Sequence, residues 1–216
     1  TVAVSDAGTA MVTIEDVNSG NTVALTGSDN AKITGGSTLT LNVSDVNAEV
    51  EIATTTTNTL TIDVADSTDN AFDLVATAMT VLTVTGGGAL TISNEFGDTE
   101  LADVTQIDGS SATGAINVTV DGTTLTDVDT GSAGDMLHIK DSAAAATFST
   151  NSGNDTVEID AFGTTATIDT GSGGDKIELD TEIASGATID GGEGSDTLEL
   201  RLEGRPVHLD DDSVVL

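Results

Sequence analysis

The sequence predicts an all-β parallel β-solenoid (a β-roll or β-helix) in which coils of about 20 residues stack on one another. Short segments in which Val, Ile and Leu alternate with Thr are separated by turns rich in Gly and Asp. Four of these turns start at positions 129, 149, 169 and 190, so the repeat has a nearly constant step. A globular β-sandwich contains a similar number of strands, but it does not predict so regular a step.

The composition excludes several classes of protein. The 216 residues include 37 Asp and Glu but only 5 Lys and Arg, which gives a formal net charge of −32. A polyanion with 2% aromatic residues repels nucleic acid and anionic membranes and has few rings on which bases stack. No cysteine is present for a disulfide framework, and no apolar run approaches the ~18 residues of a spanning helix. Because Thr1 leads directly into strand-like alternation, we also expect no N-terminal signal peptide.

Each C-terminal repeat reads as a strand, a turn rich in Gly and Asp, a second strand and a return turn. The four turns are Asp129–Asp135, Ser149–Asp155, Asp169–Asp175 and Asp190–Asp196. Two short strands cannot bury an apolar face alone, so successive units must stack in parallel. This stacking predicts three buried columns: Leu137, Val157, Ile177 and Leu198; Ile139, Ile159, Leu179 and Leu200; and, on the opposite wall, Phe148, Ile168 and Ile189.

The N-terminal half carries an irregular version of the same repeat, with turns that use Thr and Gly rather than Asp. The strands after its turns begin at positions 39, 60, 90 and 116, and the two longer steps, from 60 to 90 and from 90 to 116, indicate insertions. One insertion, near residues 65–79, is predicted to contain a short helix, and the other is a loop at residues 93–103. We therefore divide the chain into a Thr/Gly-rich solenoid part, 1–122, and an acidic solenoid part, 123–216. A looser β domain is the alternative for the first part.

The repeated Asp-x-Gly-x-Gly-x-Asp turns predict a calcium site. Glycine lets the backbone bend tightly with its carbonyl groups turned inward, and Asp supplies a carboxylate at the end of the turn. Stacked coils then form a flexible, anionic cage of oxygen atoms, which suits Ca²⁺ better than Mg²⁺. Zinc lacks its usual ligands, because there is no cysteine and the two histidines, His138 and His208, lie far apart in the sequence. The ordinary alternative is that these segments are only turns, in which each Asp bonds its own backbone.

At one repeat the match to a known family is complete. Residues Gly191–Glu199 (GGEGSDTLE) fit the nonapeptide G-G-x-G-x-D-x-U-x of RTX proteins at every position, and the three preceding repeats fit with one or two substitutions. The resemblance implies a right-handed parallel β-roll, in which turn carbonyls and the sixth-position Asp bind Ca²⁺ in the three gaps between the four turns. It covers roughly residues 125–203, has one calcium turn per coil rather than two, and is expected to end where Gly114 replaces the Asp. The candidate ligands are Asp129, Asp135, Asn151, Asp155, Asp169, Gly171, Gly173, Asp175, Asp190, Gly192, Gly194 and Asp196.

The whole chain is similar to the surface-layer (S-layer) proteins of Gram-negative bacteria. These proteins combine β-solenoids rich in Thr, Ala, Val and Gly with RTX turns, and they are acidic and free of cysteine. The resemblance implies a calcium-dependent structural protein of the bacterial cell surface, extracellular, exported by type I secretion, with itself and a cell-surface glycan as partners. The acidic and then apolar end, Asp210–Leu216, is compatible with an uncleaved secretion signal or a cap.

Two other functions stay open from the sequence. The chain is alternatively a calcium-stiffened stalk of a secreted adhesin, or an RTX binding or folding module of a secreted polysaccharide-acting enzyme. Its four Phe residues offer few aromatic platforms for a sugar, which counts against the second alternative. We expect no catalytic activity, because there is no Ser/His/Asp arrangement and no cysteine, and His138 lies on a strand between two apolar residues, facing outward.

Overall fold

A computed structural model of the chain describes residues 1–5, 11–27, 30–52, 57–64, 69–76, 78–93, 101–201 and 214–215. This part of the chain is all-β, with 23 strands and no helix. It accordingly contains no helix that is long and apolar enough to cross a membrane. Thr, Val, Ile and Leu recur in the strands, because β-branched and aliphatic side chains fit a pleated, half-buried surface.

All of the strands are short. The first twelve are β1 (Val2–Ser5), β2 (Val12–Val17), β3 (Asn21–Thr26), β4 (Ala31–Gly35), β5 (Thr38–Ser44), β6 (Asn47–Ile52), β7 (Thr59–Val64), β8 (Asn70–Val75), β9 (Val81–Gly86), β10 (Leu90–Ser93), β11 (Gln106–Asp108) and β12 (Ile116–Asp121). The remaining eleven are β13 (Asp127–Asp129), β14 (Met136–Asp141), β15 (Thr147–Ser149), β16 (Thr156–Ile159), β17 (Thr167–Asp169), β18 (Ser172–Gly173), β19 (Lys176–Leu179), β20 (Thr188–Asp190), β21 (Glu193–Gly194), β22 (Thr197–Leu200) and β23 (Val214–Val215). Strands of this length depend for their stability on the strands paired with them.

Consecutive strands alternate between two long parallel sheets. Sheet A has eleven strands in the order β1-β3-β5-β7-β9-β11-β13-β15-β17-β20-β23, and sheet B has ten in the order β2-β4-β6-β8-β10-β12-β14-β16-β19-β22. A third sheet, β18-β21, lies within the turns. The chain therefore winds between two walls as the parallel β-solenoid that the repeats predict. Both walls continue across residue 122, where β11 pairs with β13 and β12 pairs with β14.

The core is the narrow space between the inner faces of sheets A and B. In sheet B, Leu137, Val157, Ile177 and Leu198 are successive register partners, one from each coil. The second column of sheet B and the column of sheet A that contains Phe148 align in the same way, which confirms all three predicted columns. Of the five named side chains only Leu198 is partly exposed. Each fully buried aliphatic or aromatic side chain contributes about 1.5–3 kcal/mol.

The helix predicted near residues 65–79 is wrong in the part that the structure describes. Residues 70–75 form strand β8, which pairs with β6 on one side and β10 on the other. Leu74 is fully buried in the core between the sheets. Local capping residues are a weak signal for a helix, and hydrogen bonding to two neighbouring strands overrides it. Residues 65–68 and 77 lie outside the described part.

The irregular steps of the N-terminal half have a different origin from the one predicted. Leu39 and Leu60 belong to sheet A, whereas Leu90 and Ile116 belong to sheet B, so the step from Leu60 to Leu90 joined two different walls. Within one wall the steps are more even. The pairing of Leu90 with Ile116 is the widest of them in sequence, and it spans the predicted loop at residues 93–103. Of that loop, residues 94–100 lie outside the described part.

Candidate metal-binding edge

Four turns of similar sequence connect sheet A to sheet B along one side of the C-terminal half. We call this side the acidic edge. It consists of residues 130–135, 150–155, 170–175 and 191–196. Since the strands on either side of each turn are in register with those of the next coil, equivalent turn residues stack in files along the solenoid.

The turns bond to one another through the main chain. Ser172 N donates to Asn151 O at 2.9 Å, and Glu193 N donates to Gly171 O at 2.7 Å. Asn151 and Gly171 have φ angles of 61° and 83°, a left-handed conformation that Gly and Asn adopt at low cost. Gly173 has a second requirement, because a Cβ atom there would overlap the carbonyl oxygen of the preceding turn. The recurrent glycines are therefore needed for stacking as well as for bending.

Each turn ends in an Asp whose side chain bonds the coil before it. Asp155 Oδ1 accepts a hydrogen bond from the amide of Asp135 at 2.7 Å, and Asp175 Oδ1 accepts one from the amide of Asp155 at 2.8 Å. The file continues from Asp196 to the amide of Asp175 at 3.0 Å, and from Asp135 to the amide of Ile116 at 2.7 Å. The structure thus brings the four sixth-position carboxylates of the motif into one file, with one carboxylate per coil.

The second carboxylate oxygen of three of these residues has no hydrogen-bond partner. Oδ2 of Asp135, Asp155 and Asp175 is buried and unpaired, and the three residues are 2%, 1% and 2% exposed. A buried acceptor without a partner costs about 1–3 kcal/mol, and more when it is charged. Native structures rarely leave such atoms without a partner, so each Oδ2 requires either a cation or a proton.

The titration of the metal-free file reflects this burial. Burial raises the pKa of Asp155 to about 6, although the Asp135 amide and the nearby Thr150 hydroxyl oppose the rise, and the carboxylates of Asp135 and Asp175 add to it. Burial also raises the pKa of Asp135. Both shifts mean that the ionised form is disfavoured as long as no positive charge lies nearby. A cation beside these oxygens removes that penalty.

A file of threonine hydroxyls belongs to the same edge, and the sequence-based candidates did not include it. Thr130, Thr150 and Thr170 are 0%, 1% and 0% exposed. Thr150 Oγ1 donates to Thr170 O, and Thr170 Oγ1 donates to Gly191 O, both at 3.1 Å. These residues stand at the first position of the nonapeptide, where the RTX pattern has Gly. The repeated mismatch was therefore the signal for a second, metal-independent link between coils.

The remaining acidic candidates form a separate file. Asp129, Asp169 and Asp190 share one register position on the face of sheet A opposite to the core. Asp129 Oδ1 accepts a hydrogen bond from Asn151 Nδ2 at 2.6 Å, and Asp190 Oδ1 accepts one from the amide of Gly192 at 2.9 Å. These side chains are half-buried or exposed. They lie toward solvent, unlike the buried file that ends each turn.

The carbonyl groups of the candidate glycines are only partly occupied. Gly171 O accepts the Glu193 amide at 2.7 Å and Gly173 O accepts the Ser195 amide at 3.3 Å. Each carbonyl oxygen has two lone pairs and keeps one for a further ligand. Gly194 of the last turn is the register partner of Gly173. Gly192 lies two residues before Gly194, as Gly171 lies two residues before Gly173. Carboxylates and main-chain carbonyls are the donors that Ca²⁺ takes, so the residues of the acidic edge fit that ion.

No protein-family model, curated protein or solved structure matches the chain. The resemblance to RTX and surface-layer proteins therefore rests on the motif residues alone. The acidic edge and the outer faces of the two sheets are the features of the chain that bear on its function.

Proposed function

We propose that the chain is a calcium-dependent structural protein of a bacterial cell surface, a component of a surface-layer lattice. The observation that carries the proposal is the file of buried carboxylates, in which Asp135, Asp155 and Asp175 each keep an Oδ2 atom without a partner. Ordinary turns do not produce this arrangement, because an Asp that only shapes a turn bonds its own backbone in contact with water. Three such atoms, one in each of three successive coils, support a cation repeated along the edge.

Calcium, when bound, supplies the positive charge that the carboxylates lack. The chain's own residues position the carboxylates and link the coils. The Oδ1 atoms of Asp155 and Asp175 bond the preceding coil and hold each carboxylate in place. The Thr150 hydroxyl links the same two coils as Asp175, and the Thr170 hydroxyl links the next pair of coils. Because each coil contacts only its neighbours, a stiff edge makes a stiff solenoid. An affinity of about 10⁻⁴–10⁻³ M, typical of extracellular calcium modules, suits a chain that folds after export.

A lattice also requires a surface on which copies of this polyanion can approach one another. The outer face of sheet A supplies one in the N-terminal half. Thr22, Thr40, Thr61 and Thr83 are successive register partners there, and β3, β5, β7 and β9 carry a single charged side chain, Asp63. Asp63 accepts a hydrogen bond from a neighbouring Thr hydroxyl. On this hydroxyl-lined face lateral contacts meet little repulsion.

The proposal is tested by assembly of the purified chain with and without calcium. We expect negative-stain electron microscopy to show sheets or lateral oligomers in millimolar Ca²⁺ and their dispersal in EDTA, with sedimentation velocity as the quantitative measure. Rods that remain monomeric in calcium favour the adhesin stalk instead. If the size and the secondary structure of the chain are the same with and without calcium, both functions are contradicted. Replacing Thr61 by Lys, on the hydroxyl-lined face, should abolish assembly but not calcium binding.

A further inference from the structure

Outside the acidic edge, one group of side chains brings nitrogen and oxygen ligands together. His138 on β14, Glu158 on β16 and Asp160 directly after β16 have ligand atoms that all lie within 4.8 Å of one another. Within the described ranges it is the one group of three or more His, Asp or Glu side chains that meets this distance. The imidazole distinguishes it from the many clusters of carboxylates expected on so acidic a surface.

The solenoid step creates this group. His138 and Glu158 occupy equivalent positions in successive coils and are direct register partners on sheet B. Asp160 follows Glu158 by two positions and shares its face, and its amide donates to Ile139 O at 3.0 Å, which keeps it beside β14. His138 Nε2 then lies 3.2 Å from Asp160 Oδ1. The side chains of His138, Glu158 and Asp160 are 30%, 24% and 41% exposed, so an ion has access to them.

We propose that His138, Glu158 and Asp160 form a binding site for a divalent transition-metal ion of the Zn²⁺ class, separate from the calcium of the acidic edge. One imidazole nitrogen with two carboxylate oxygens is a donor set for Zn²⁺, whereas Ca²⁺ and Mg²⁺ select oxygen donors. The two histidines, His138 and His208, lie far apart in the sequence, but this does not exclude zinc at His138. The two carboxylates take the place of a second imidazole. Three protein ligands leave a coordination position open.

Space for an external ligand lies next to the imidazole. His138 lines a depression of about 150 Å³ on the outer face of sheet B, together with Thr91, Asn117, Thr119 and Met136. Apolar atoms make up most of its lining, and a few hydroxyl and amide groups lie among them. Water or a small polar ligand completes the coordination from there.

A cation of the chain itself competes for one of the ligands. Arg201 Nη1 lies 3.0 Å from Glu158 Oε1. Lys176, also on sheet B, forms ion pairs with Glu178 and Glu199, which Arg201 contacts as well, but its ion pairs do not include Glu158. Removal of Arg201 therefore frees Glu158, whereas removal of Lys176 changes the net charge of the same face by the same amount and leaves Glu158 paired. The two positions form a matched pair for an experiment.

The experiment is isothermal titration calorimetry of Zn²⁺ into the full chain, in millimolar Ca²⁺ so that the acidic edge is filled. We expect one zinc site in the wild type, its loss in His138→Gln, and its retention in His208→Gln. Glu158→Gln weakens binding. Arg201→Gln tightens it by about two- to fivefold relative to Lys176→Gln, the effect of releasing one partly exposed ion pair. Circular dichroism of each variant establishes that it is folded.

Wild-type zinc binding in His138→Gln, or its loss in His208→Gln, overturns the proposal. Wild-type zinc affinity in Glu158→Gln also overturns it, because it shows that Glu158 is not a ligand. Long-range ¹H–¹⁵N spectra give an independent readout, since only coordination moves the Nε2 resonance of His138 at one equivalent of Zn²⁺. All of these measurements use chains that also carry Thr61→Lys, the substitution that should prevent assembly, so failure of the proposed function and failure of the zinc site are distinguishable.

Discussion

Asp155 Oδ1 accepts the amide of Asp135 at 2.7 Å, while Oδ2 of the same carboxylate is buried without a hydrogen-bond partner. One oxygen therefore ties two coils together, and the other carries an electrostatic cost until a cation or a proton reaches it. The different roles of these two oxygen atoms determine how the stability of the acidic edge responds to calcium, to pH and to mutation.

Replacing Asp155 by Asn separates the two roles, because Asn keeps an oxygen for the Asp135 amide but carries no charge. In EDTA at neutral pH we expect Asp155→Asn to be more stable than the wild type by about 1 kcal/mol, since burial raises the pKa of Asp155 from 3.8 to about 6 and solvent screening reduces the energy of that shift. In millimolar calcium the order reverses, because the variant lacks a ligand. Urea denaturation in both buffers measures the difference.

The matched control for that variant is Asp180→Asn, on the opposite edge of the solenoid, where the side chain is exposed. It removes the same charge and should change stability by no more than about 0.5 kcal/mol in either buffer. If Asp155→Asn and Asp180→Asn behave alike, the buried file has no special role.

The metal-free protein should lose stability as the pH rises from about 4 to about 6. The pKa of Asp155 in the fold is about 6, above the value of about 3.9 in an unfolded chain, so over this window the native state binds a proton that the unfolded state does not. The raised pKa of Asp135 acts in the same direction. Thermal denaturation in EDTA across this range measures the slope, and Asp155→Asn should flatten it. A slope that is unchanged in the variant assigns the effect to other carboxylates.

Chelation should unfold the acidic edge before it affects the Thr-rich half. In EDTA we expect the C-terminal half to be less stable and partly unfolded, because the carboxylates of the buried file repel one another without compensation, and millimolar Ca²⁺ should restore β structure. Circular dichroism follows the total change. Hydrogen exchange locates it, with protection lost in residues 130–196 and retained in residues 21–86. Identical spectra with and without EDTA count against a calcium-coupled fold.

Adding one methyl group at Gly173 should disrupt the stacked turns. Gly173 has a φ of 151°, and a Cβ atom there would overlap a main-chain oxygen of the neighbouring turn, so we expect Gly173→Ala to cost more than about 2 kcal/mol. Gly87→Ala is the control. Its nearest heavy atom would be Thr113 Oγ1 at 3.5 Å, an ordinary contact, so it should cost less than about 1 kcal/mol. Thermal denaturation in calcium compares the two, and equal effects would show that turn stacking is not needed.

The fold could be predicted where the repeat is local and regular. The constant step of the C-terminal repeats predicted that Val157 lies between Leu137 and Ile177, because such a step fixes the register of a solenoid. Near residues 65–79 the repeat is not regular, and residues that can cap a helix led to the wrong prediction of a helix where the structure has strand β8. Strand β8 is held by pairing with β6 and β10, contacts that local sequence does not encode.

The candidate site shows a similar limit. The file that contains Asp155 could be predicted, because its residues repeat in the sequence. The hydroxyl of Thr150 was overlooked because it appeared only as a departure from the glycine of the motif. The group around His138 was overlooked because its members come from two different coils and its histidine does not repeat, although the step already placed Glu158 beside the imidazole.

The Asp-to-amide hydrogen bonds of the acidic edge give the rod a chemical direction. In every one of them the amide of an earlier coil donates to the carboxylate of a later coil, so this amide of each coil finds its acceptor only in the next coil. A break on the C-terminal side of a coil leaves a bare N–H group, whereas a break on the N-terminal side leaves a bare carboxylate oxygen. The two broken ends are therefore unequal. If the coils fold in order from the last to the first, each newly folded coil finds the carboxylate acceptor for its amide already in place.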